Sequence, residues 1–340
     1  MLSQIVGSQY NIIGFDPRGV NNSGPTVDCF PQDPDARAVF KDLYYSDITD
    51  SSSNSLQTQY YSSEIFGKWC TASFKQNATG QYVSTPATAY DMLSYIKAEQ
   101  VAAGKPEEDA KLWYYGLSYG TVLGSTFAAM FPDNVGRIVA DGVLDAEDYY
   151  NLGWSTDLFQ TDQAMGTFSI YCHQSGPKNC SFWGPSPQNI TDRLDSILQN
   201  LKDNPIPVTG LEAGTTTGLA TYADLKQMML QALYSPIQSF PGLSDALLTL
   251  ENGNGSLVVG GTSFVSGDDG ETHDFDTVIK CVDGYRGTNF TTLQDFRNYV
   301  QALTNQSKYF GDTWPDSANN VLCRSLQLEG IQTRSFSGAF

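Results

Sequence analysis

The sequence predicts an α/β protein in which a mostly parallel sheet is followed by a largely helical insertion. Over the first 150 residues, short apolar runs alternate with stretches of helical periodicity, which is the order found in doubly wound parallel sheets. A glycine-rich pentapeptide lies where one of these strands meets the next helix. From residue 151 to about residue 330, amphipathic helices and glycine-rich loops replace the strand pattern. These observations divide the chain into a sheet-forming part and a helical part.

The predicted core begins with an apolar strand and turn at residues 10–19 (YNIIGFDPRG). The stretch that follows shows little apolar periodicity and is predicted to be irregular. A helix then begins at Thr85, which we expect to cap it, with Pro86 in the first helical position. Further strands are predicted at residues 112–115 and 135–145, because both are short apolar runs bounded by turns.

The pentapeptide at residues 116–120 (GLSYG) predicts a nucleophile elbow because of its surroundings. The motif alone is weak, since a chain this rich in glycine and serine yields roughly a quarter of a match by chance. Here a strand precedes it and a helix follows, which is the order that an elbow needs. We expect Ser118 in a strained turn, at the mouth of a pocket between the core and the helical part, with Gly116 and Gly120 making room. The alternative is a glycine-rich turn without chemistry.

Three segments together resemble a known fold. They are FDPRG at residues 15–19, YYGLSYGT at 114–121 and RIVADGVLD at 137–145. These segments are similar to the α/β-hydrolase fold and, within it, to the proline-iminopeptidase and tripeptidyl-aminopeptidase-like serine peptidases. The similarity is close over residues 9–150 and looser beyond, where it rests on residues 279–283 and 334–338.

The resemblance implies that the chain has three parts. Residues 1–150 would form a partial α/β-hydrolase core with the nucleophile elbow, residues 151–330 a cap, and residues 331–340 a return segment to the core. Such a cap covers the nucleophile and shapes the substrate pocket. Apolar residues at helical spacing predict three amphipathic helices in it, at residues 190–201, 222–234 and 291–304.

The resemblance also implies roles for individual residues near the elbow. Ser118 would be the nucleophile, and the backbone N–H of Tyr119 would be one donor to the oxyanion. Gly116 and Gly120 would be structural. Arg18 would anchor neighbouring loops through backbone carbonyls rather than contact the substrate.

Other parts of the expected catalytic machinery have no counterpart in this chain. The glycine-rich oxyanion loop, the catalytic Asp and the catalytic His of the resembling family are not found at the expected positions. The two histidines, His173 and His273, are expected to be surface-loop residues. Asp145 is an alternative triad acid, although Asp141 and Asp145 are both expected to cap turns. We therefore expect this chain to be incomplete or inactive on its own.

Three functions remain open at this point. The first is a serine exopeptidase that removes residues from peptide N-termini through an acyl-enzyme. The second is a carboxylesterase or lipase on the same fold, and the third is a non-catalytic fragment or binding protein. Carboxylates of the cap, among them Asp283, are candidates for binding a free α-amino group. No cofactor or metal is expected, since zinc-ligand spacing is absent.

Charge and hydropathy argue against two classes of partner. The formal net charge is -18 in 340 residues, and binding to nucleic acid requires clustered lysine and arginine instead. No run of about 18 apolar residues is present, so no membrane span is predicted. The expected partner is a peptide or small ester substrate, and the oligomeric state is left open.

Cysteines and sequons indicate an extracellular full-length parent. Six cysteines are expected to pair as Cys29–Cys70, Cys172–Cys180 and, from the resemblance, Cys281–Cys323. The candidate glycosylation sites among the Asn-x-Ser/Thr sequons are Asn77, Asn189, Asn289 and Asn305. The N-terminus shows no signal-peptide pattern, so we expect an export signal of the parent to lie outside this chain.

Overall fold

The structure is a computed structural model that describes residues 7–77, 79–211, 216–260, 274–284, 290–328 and 330. The expected return segment at residues 331–340 lies outside the described residues. His273, Asn289 and the side chain of Asn77 also lie outside them.

Helices dominate the described residues. They are α1 (Pro34–Tyr44), α2 (Ser55–Asn77), α3 (Thr85–Ala102), α4 (Tyr119–Met130), α5 (Ala146–Tyr150), α6 (Thr161–Ser175), α7 (Pro187–Asp203), α8 (Tyr222–Ala232), α9 (Pro236–Glu251), α10 (Asp274–Asp283), α11 (Leu293–Gln306) and α12 (Trp314–Ala318). The strands are β1 (Leu112–Leu117), β2 (Val135–Asp141), β3 (Ile206–Thr209) and β4 (Thr217–Ala220). None of the helices in the described ranges is long and apolar enough to cross a bilayer.

The central structural unit is a parallel β1–α4–β2 arrangement. Strands β1 and β2 pair in parallel, from Trp113 opposite Arg137 to Leu117 opposite Asp141. Helix α4 connects them, and its buried Leu123 and Phe127 pack in one apolar cluster with residues of α3 and β1. The predicted strand–helix–strand order around the pentapeptide is therefore confirmed, and this parallel sheet with surrounding helices is compatible with a partial α/β-hydrolase core.

The predicted first strand is not formed. Residues 11–17 belong to no ladder within the described part of the chain, and Ile12 and Ile13 are 42% and 50% exposed. The ring of Tyr10 contacts that of Trp113 on β1, with 6.1 Å between the ring centroids. An apolar run favours a strand only where a neighbouring strand completes its hydrogen bonds, and that partner is not among the described residues.

The stretch predicted to be irregular contains two helices, α1 and the 23-residue α2. Polar side chains on the inner face of α2 interrupt the apolar periodicity that predicts a helix; they are Ser55, Gln59, Ser62, Ser63 and Thr71. The hydroxyls of Ser63 and Thr71 donate to main-chain carbonyls one turn earlier, each at 2.6 Å. Because these hydroxyls are satisfied within the helix, the inner face can be buried although it is partly polar.

One apolar cluster joins parts of the chain that are distant in sequence. Residues 27–83, including Phe66 of α2, pack with Val278 of α10, Phe296 of α11 and Leu322. A second cluster is built from α6 to α9, together with residues of α11 and α12. The cap helices predicted at residues 190–201, 222–234 and 291–304 are confirmed as α7, α8 and α11. Part of the expected cap therefore shares its core with α1 and α2.

The six cysteines form the three predicted disulfides. Cys29–Cys70, Cys172–Cys180 and Cys281–Cys323 have Cα separations of 4.1, 5.3 and 5.1 Å. The first attaches the segment before α1 to α2, and the last attaches α10 to the turn at residues 320–325. The first bond lies within the cluster that brings α2 and α10 together, and the last lies in a smaller cluster with Leu152.

Candidate active site

Ser118 occupies a sharp turn between β1 and α4. Its backbone angles are φ 52° and ψ -119°, while Leu117 ends the strand and Tyr119 begins the helix. A positive φ is uncommon for a residue with a side chain and costs free energy, so the surroundings must hold it in place. Ser118 is also exposed. This combination of strain and exposure is what a nucleophile elbow requires.

Main-chain and hydroxyl hydrogen bonds hold the strained turn. The N–H of Ser118 donates to the carbonyl of Asp141 at the end of β2, at 3.0 Å. The carbonyl of Ser118 accepts from the N–H and the hydroxyl of Thr121, at 2.8 and 2.7 Å. The same hydroxyl accepts from the N–H of Leu144, at 3.1 Å. The turn is therefore tied to both the neighbouring strand and the loop that follows it.

Gly116 and Gly120 differ in how strictly the elbow needs them. A Cβ on Gly116 would lie 2.6 Å from the carbonyl carbon of Gly120 and 2.6 Å from a ring carbon of Tyr114. A Cβ on Gly120 would meet only the hydroxyl of Tyr114, at 3.1 Å. That hydroxyl already donates to the carbonyl of Gly120, at 2.9 Å. Close approach of β1 and α4 thus requires glycine at position 116 far more than at position 120.

Tyr119 has a backbone and a side-chain role. Its N–H lies in the first turn of α4, where helix N–H groups have no partner inside the helix and the helix dipole favours negative charge. That position suits a donor to an oxyanion. Its hydroxyl lies 2.7 Å from the hydroxyl of Thr85, the first residue of α3. Ser84, rather than Thr85 as predicted, caps this helix by accepting from the N–H of Ala87.

A cavity of about 630 Å³ lies beside the elbow. It is lined by residues 10–15 and 113–117, together with Tyr119, Gly120 and Leu123. A pocket was expected between the core and the helical part, with Ser118 at its mouth. Among the described residues, neither Ser118 nor any residue of the helical part lines this cavity.

Among the curated proteins similar to this chain are a tripeptidyl aminopeptidase and a serine protease. Tripeptidyl aminopeptidase of Streptomyces lividans is 32% identical over 136 residues, which are 40% of this chain and 22% of that protein. Serine protease Hip1 of Mycobacterium tuberculosis is 27% identical over 262 residues, which are 76% of this chain and 46% of that protein. By these matches, the chain is similar to serine hydrolases. The expected similarity to tripeptidyl-aminopeptidase-like serine peptidases is confirmed.

The similarity to these serine hydrolases is partial in extent. The chain spans less than half the length of either relative. No protein-family model matches it. The activity of a whole serine hydrolase of this kind is therefore a proposal for the present chain, and the roles of its residues must be argued from its own geometry.

His173 is the histidine that the structure describes, and its ring is engaged in a hydrogen bond and in stacking. It lies in α6, not in a surface loop as predicted. Its Nδ1 is 2.9 Å from the carbonyl of Gly184, and its ring stacks on that of Trp183 with 6.2 Å between the centroids. The indole N–H of Trp183 donates back to the carbonyl of His173, at 3.0 Å. These contacts hold the side chain of His173 at the C-terminal end of α6, next to the Cys172–Cys180 disulfide.

Two aspartates at and after the end of β2 hold local structure. Asp145 caps α5 by accepting from the N–H groups of Glu147 and Asp148, at 2.9 and 3.1 Å. The carboxylate of Asp141 accepts from the hydroxyl of Tyr115, at 2.6 Å. Asp145 therefore caps a turn as expected, whereas the side chain of Asp141 braces the exposed face of β1 instead.

Arg18 has a structural contact, although with a different partner from the one expected. Its guanidinium forms a two-pronged ion pair with Asp91 of α3, with N–O distances of 2.5 and 2.7 Å. A further contact to the carbonyl of Tyr82 is longer, at 3.4 Å. Arg18 thus attaches the turn after residues 10–17 mainly to a helix side chain, where backbone carbonyls were expected.

Asp283, the candidate for binding a free α-amino group, is completely buried. Its carboxylate accepts from the N–H of Thr85 at 2.7 Å, from the hydroxyl of Thr85 at 2.5 Å and from the hydroxyl of Tyr149 at 2.9 Å. Burial raises the pKa of Asp283 to about 7, although these three donors act in the opposite direction. No local pattern in the sequence marks this contact, since Asp283 and Thr85 are 198 residues apart.

The remaining candidate sites concern modification and metals. Asn189 is half-buried on α7, whereas Asn305 is exposed near the end of α11. Within the part of the chain that the structure describes, no group of three or more His, Cys, Asp or Glu side chains is arranged to hold a metal ion.

Proposed function

We propose that this chain is the nucleophile-bearing part of a serine exopeptidase that removes residues from peptide N-termini. The observation that carries the proposal is the strained, exposed Ser118 between a parallel strand and a helix. The name of the Streptomyces relative, tripeptidyl aminopeptidase, supports cleavage from the amino end of peptides. We propose further that the full-length parent acts outside the cytosol, since its cysteines are joined in disulfides.

The chemistry follows from the elbow. The Oγ of Ser118 attacks the scissile carbonyl, the amine leaves with a proton, and the acyl-enzyme is then hydrolysed by water. The N–H of Tyr119 stabilises the negative charge that develops on the carbonyl oxygen. The general base is not assigned, because the described histidine, His173, contacts Gly184 and Trp183 instead.

Covalent labelling tests the proposed nucleophile. A fluorophosphonate probe is expected to label the purified chain at Ser118, but slowly because no base is assigned to activate the hydroxyl, with the site located by peptide mass spectrometry. The Ser118→Ala variant is the control and is expected to remain unlabelled. Labelling elsewhere, or equal labelling of both proteins, would contradict the assignment. The His173→Ala variant is expected to label at the unchanged rate; a large loss would make His173 the base.

Substrate assays test the exopeptidase assignment. Without an assigned base, the chain is expected to turn over aminoacyl-nitroanilides roughly 10⁴–10⁶-fold more slowly than a complete triad enzyme does. Any Ser118-dependent turnover is expected to require a free α-amino group, so N-acetylated nitroanilides serve as the matched comparison. Faster hydrolysis of p-nitrophenyl esters without such a requirement would favour the carboxylesterase or lipase alternative. Rapid turnover that Ser118→Ala abolishes would show that the chain is complete enough to act alone.

A further inference from the structure

We propose that Asp283 is a positioning residue for the oxyanion donor, acting through the hydroxyls of Thr85 and Tyr119. This inference rests on the proposed function, in which Ser118 is the nucleophile and the N–H of Tyr119 binds the oxyanion. It adds a residue from the helical part of the chain, more than 160 positions away from the elbow in sequence.

The hydrogen bonds around Asp283 run in a defined direction. Above its raised pKa of about 7 the carboxylate of Asp283 is ionised and only accepts, so the hydroxyl of Thr85 then donates to it, at 2.5 Å. The Thr85 oxygen then accepts from the hydroxyl of Tyr119, at 2.7 Å. Burial raises the pKa of Tyr119, so its hydroxyl keeps the proton that it donates. The chain of donors therefore leads from the residue after the nucleophile to the buried carboxyl group of Asp283.

Four elements meet at this chain of hydrogen bonds. Asp283 ends α10, Thr85 begins α3, Tyr119 begins α4 and Tyr149 lies in α5. The ring of Tyr149 also packs against that of Tyr119, with centroids 6.1 Å apart. Position 283 itself is held in place, because the Cys281–Cys323 disulfide lies two residues earlier. The Tyr119 side chain is thus held by elements whose relative positions are already fixed.

The consequence for the site follows from the double role of Tyr119. Its N–H and its side chain belong to the same residue, so a side chain held at its hydroxyl restricts rotation of the peptide that carries the N–H. Small displacements of a group that stabilises a transition state are costly, up to about 100-fold in rate for about 1 Å. Fixing Tyr119 at its far end is therefore a way to keep the donor aimed at the oxyanion.

A purely structural reading makes Asp283 only a carboxylate at the start of α3. Its second oxygen accepts from the N–H of Thr85, at 2.7 Å, and a negative charge at a helix N-terminus is favourable. Two variants separate the readings. Thr85→Val keeps that N–H and nearly the same volume but removes the hydroxyl link, whereas Thr85→Ser keeps both the N–H and the hydroxyl.

The test measures how fast a fluorophosphonate probe inactivates Ser118, resolved into the maximal rate kinact and the half-saturation constant KI. Thr85→Val is expected to lower kinact about 10-fold and to leave KI unchanged, because orientation of the donor is lost and binding is not. Thr85→Ser is expected to restore kinact. Asp283→Asn should also lower kinact, since its single amide oxygen cannot accept at both positions that the two carboxylate oxygens occupy. Asp316→Asn is the control, because Asp316 is equally buried but binds Gln59 and Gln227.

Wild-type rates in Thr85→Val, or a loss that Thr85→Ser does not restore, would overturn the proposal. Amide hydrogen exchange of the segment 112–130 provides a second measurement that needs no reaction. Thr85→Val is expected to speed exchange there about 10-fold and Asp316→Asn is not. If the wild-type chain is never labelled, the proposed nucleophile fails, while faster exchange in Thr85→Val still supports the hydrogen-bond chain. Unchanged exchange would refute it independently.

Discussion

The N–H of Ser118 donates to the main-chain carbonyl of Asp141 at 3.0 Å, and this bond ties the elbow to the end of the adjacent strand. It continues the parallel register in which Leu117 lies opposite Asp141. The positive φ of Ser118 is therefore held from β2 as well as from α4. A strained residue persists only where its surroundings determine its conformation in this way.

Gly116→Ala is expected to destabilise the chain by about 1–3 kcal/mol or more, because the added methyl group would overlap the backbone at Gly120. Gly120→Ala is the matched variant. Its methyl group meets only the Tyr114 hydroxyl, and alanine is preferred to glycine in a helix by about 1 kcal/mol, so little net change is expected. Urea unfolding measures the free energy of unfolding of both variants. Equal destabilisation by the two variants would show that the close contact at position 116 does not make glycine more important there than at position 120.

The Arg18–Asp91 pair is expected to contribute stability rather than catalysis. A double-mutant cycle with Arg18→Ala and Asp91→Ala should give a coupling of about 0.5–1 kcal/mol, since the side chains are 33% and 46% exposed and solvent screens them. Labelling of Ser118 in the folded variants should be unchanged. Loss of labelling with unchanged stability would instead place Arg18 in the site.

Removing Cys29–Cys70 is expected to cost more stability than removing Cys172–Cys180. The bonds close loops of 41 and 8 residues, and restriction of the unfolded chain predicts about 4 and about 2.5 kcal/mol, respectively. Paired cysteine-to-alanine variants, compared by urea unfolding, measure the difference. A larger loss at Cys172–Cys180 would mean that the native contacts of α6, not loop closure, set the contribution.

Asp283 is expected to make the free energy of unfolding fall as pH rises from about 4 to about 7. Its pKa is about 7 in the native state and 3.8 ordinarily. Between these values the native state holds a proton that the unfolded state has lost, so raising the pH favours unfolding. The full effect is on the order of 4 kcal/mol. Below the ordinary pKa of 3.8, Asp283 is protonated in both the native and the unfolded state, and its full contribution to the free energy of unfolding is present.

Asp283→Asn is expected to flatten this part of the pH profile, because asparagine does not titrate. Burial also raises the pKa of Asp316 well above its usual range. Asp316→Asn should therefore remove a separate part of the fall in the free energy of unfolding with rising pH. Chemical unfolding at intervals from pH 4 to 8 measures both slopes. Identical profiles for wild type and Asp283→Asn would show that Asp283 keeps its ordinary pKa in the native chain.

Local sequence was sufficient for features that depend on neighbouring residues. The turn at Ser118 was predictable because a strand, a glycine pattern and a helix follow one another directly. The helices α7, α8 and α11 were predictable because apolar residues dominate one face of each. Helix α2 was missed because Ser and Gln occupy part of its buried face, and their hydrogen bonds cannot be read from periodicity.

The sequence by itself determined the elbow, the amphipathic helices and, with the family resemblance, the three cysteine pairs. Tertiary structure decided the rest. Residues 11–17 carry a strand-like sequence but form no ladder, because a strand depends on hydrogen bonds to a neighbour. Asp283, one acid among 37 acidic residues, reaches Thr85 only when α10 packs beside α3. Its role comes from burial and from donors distant in sequence, and neither is encoded in its local surroundings.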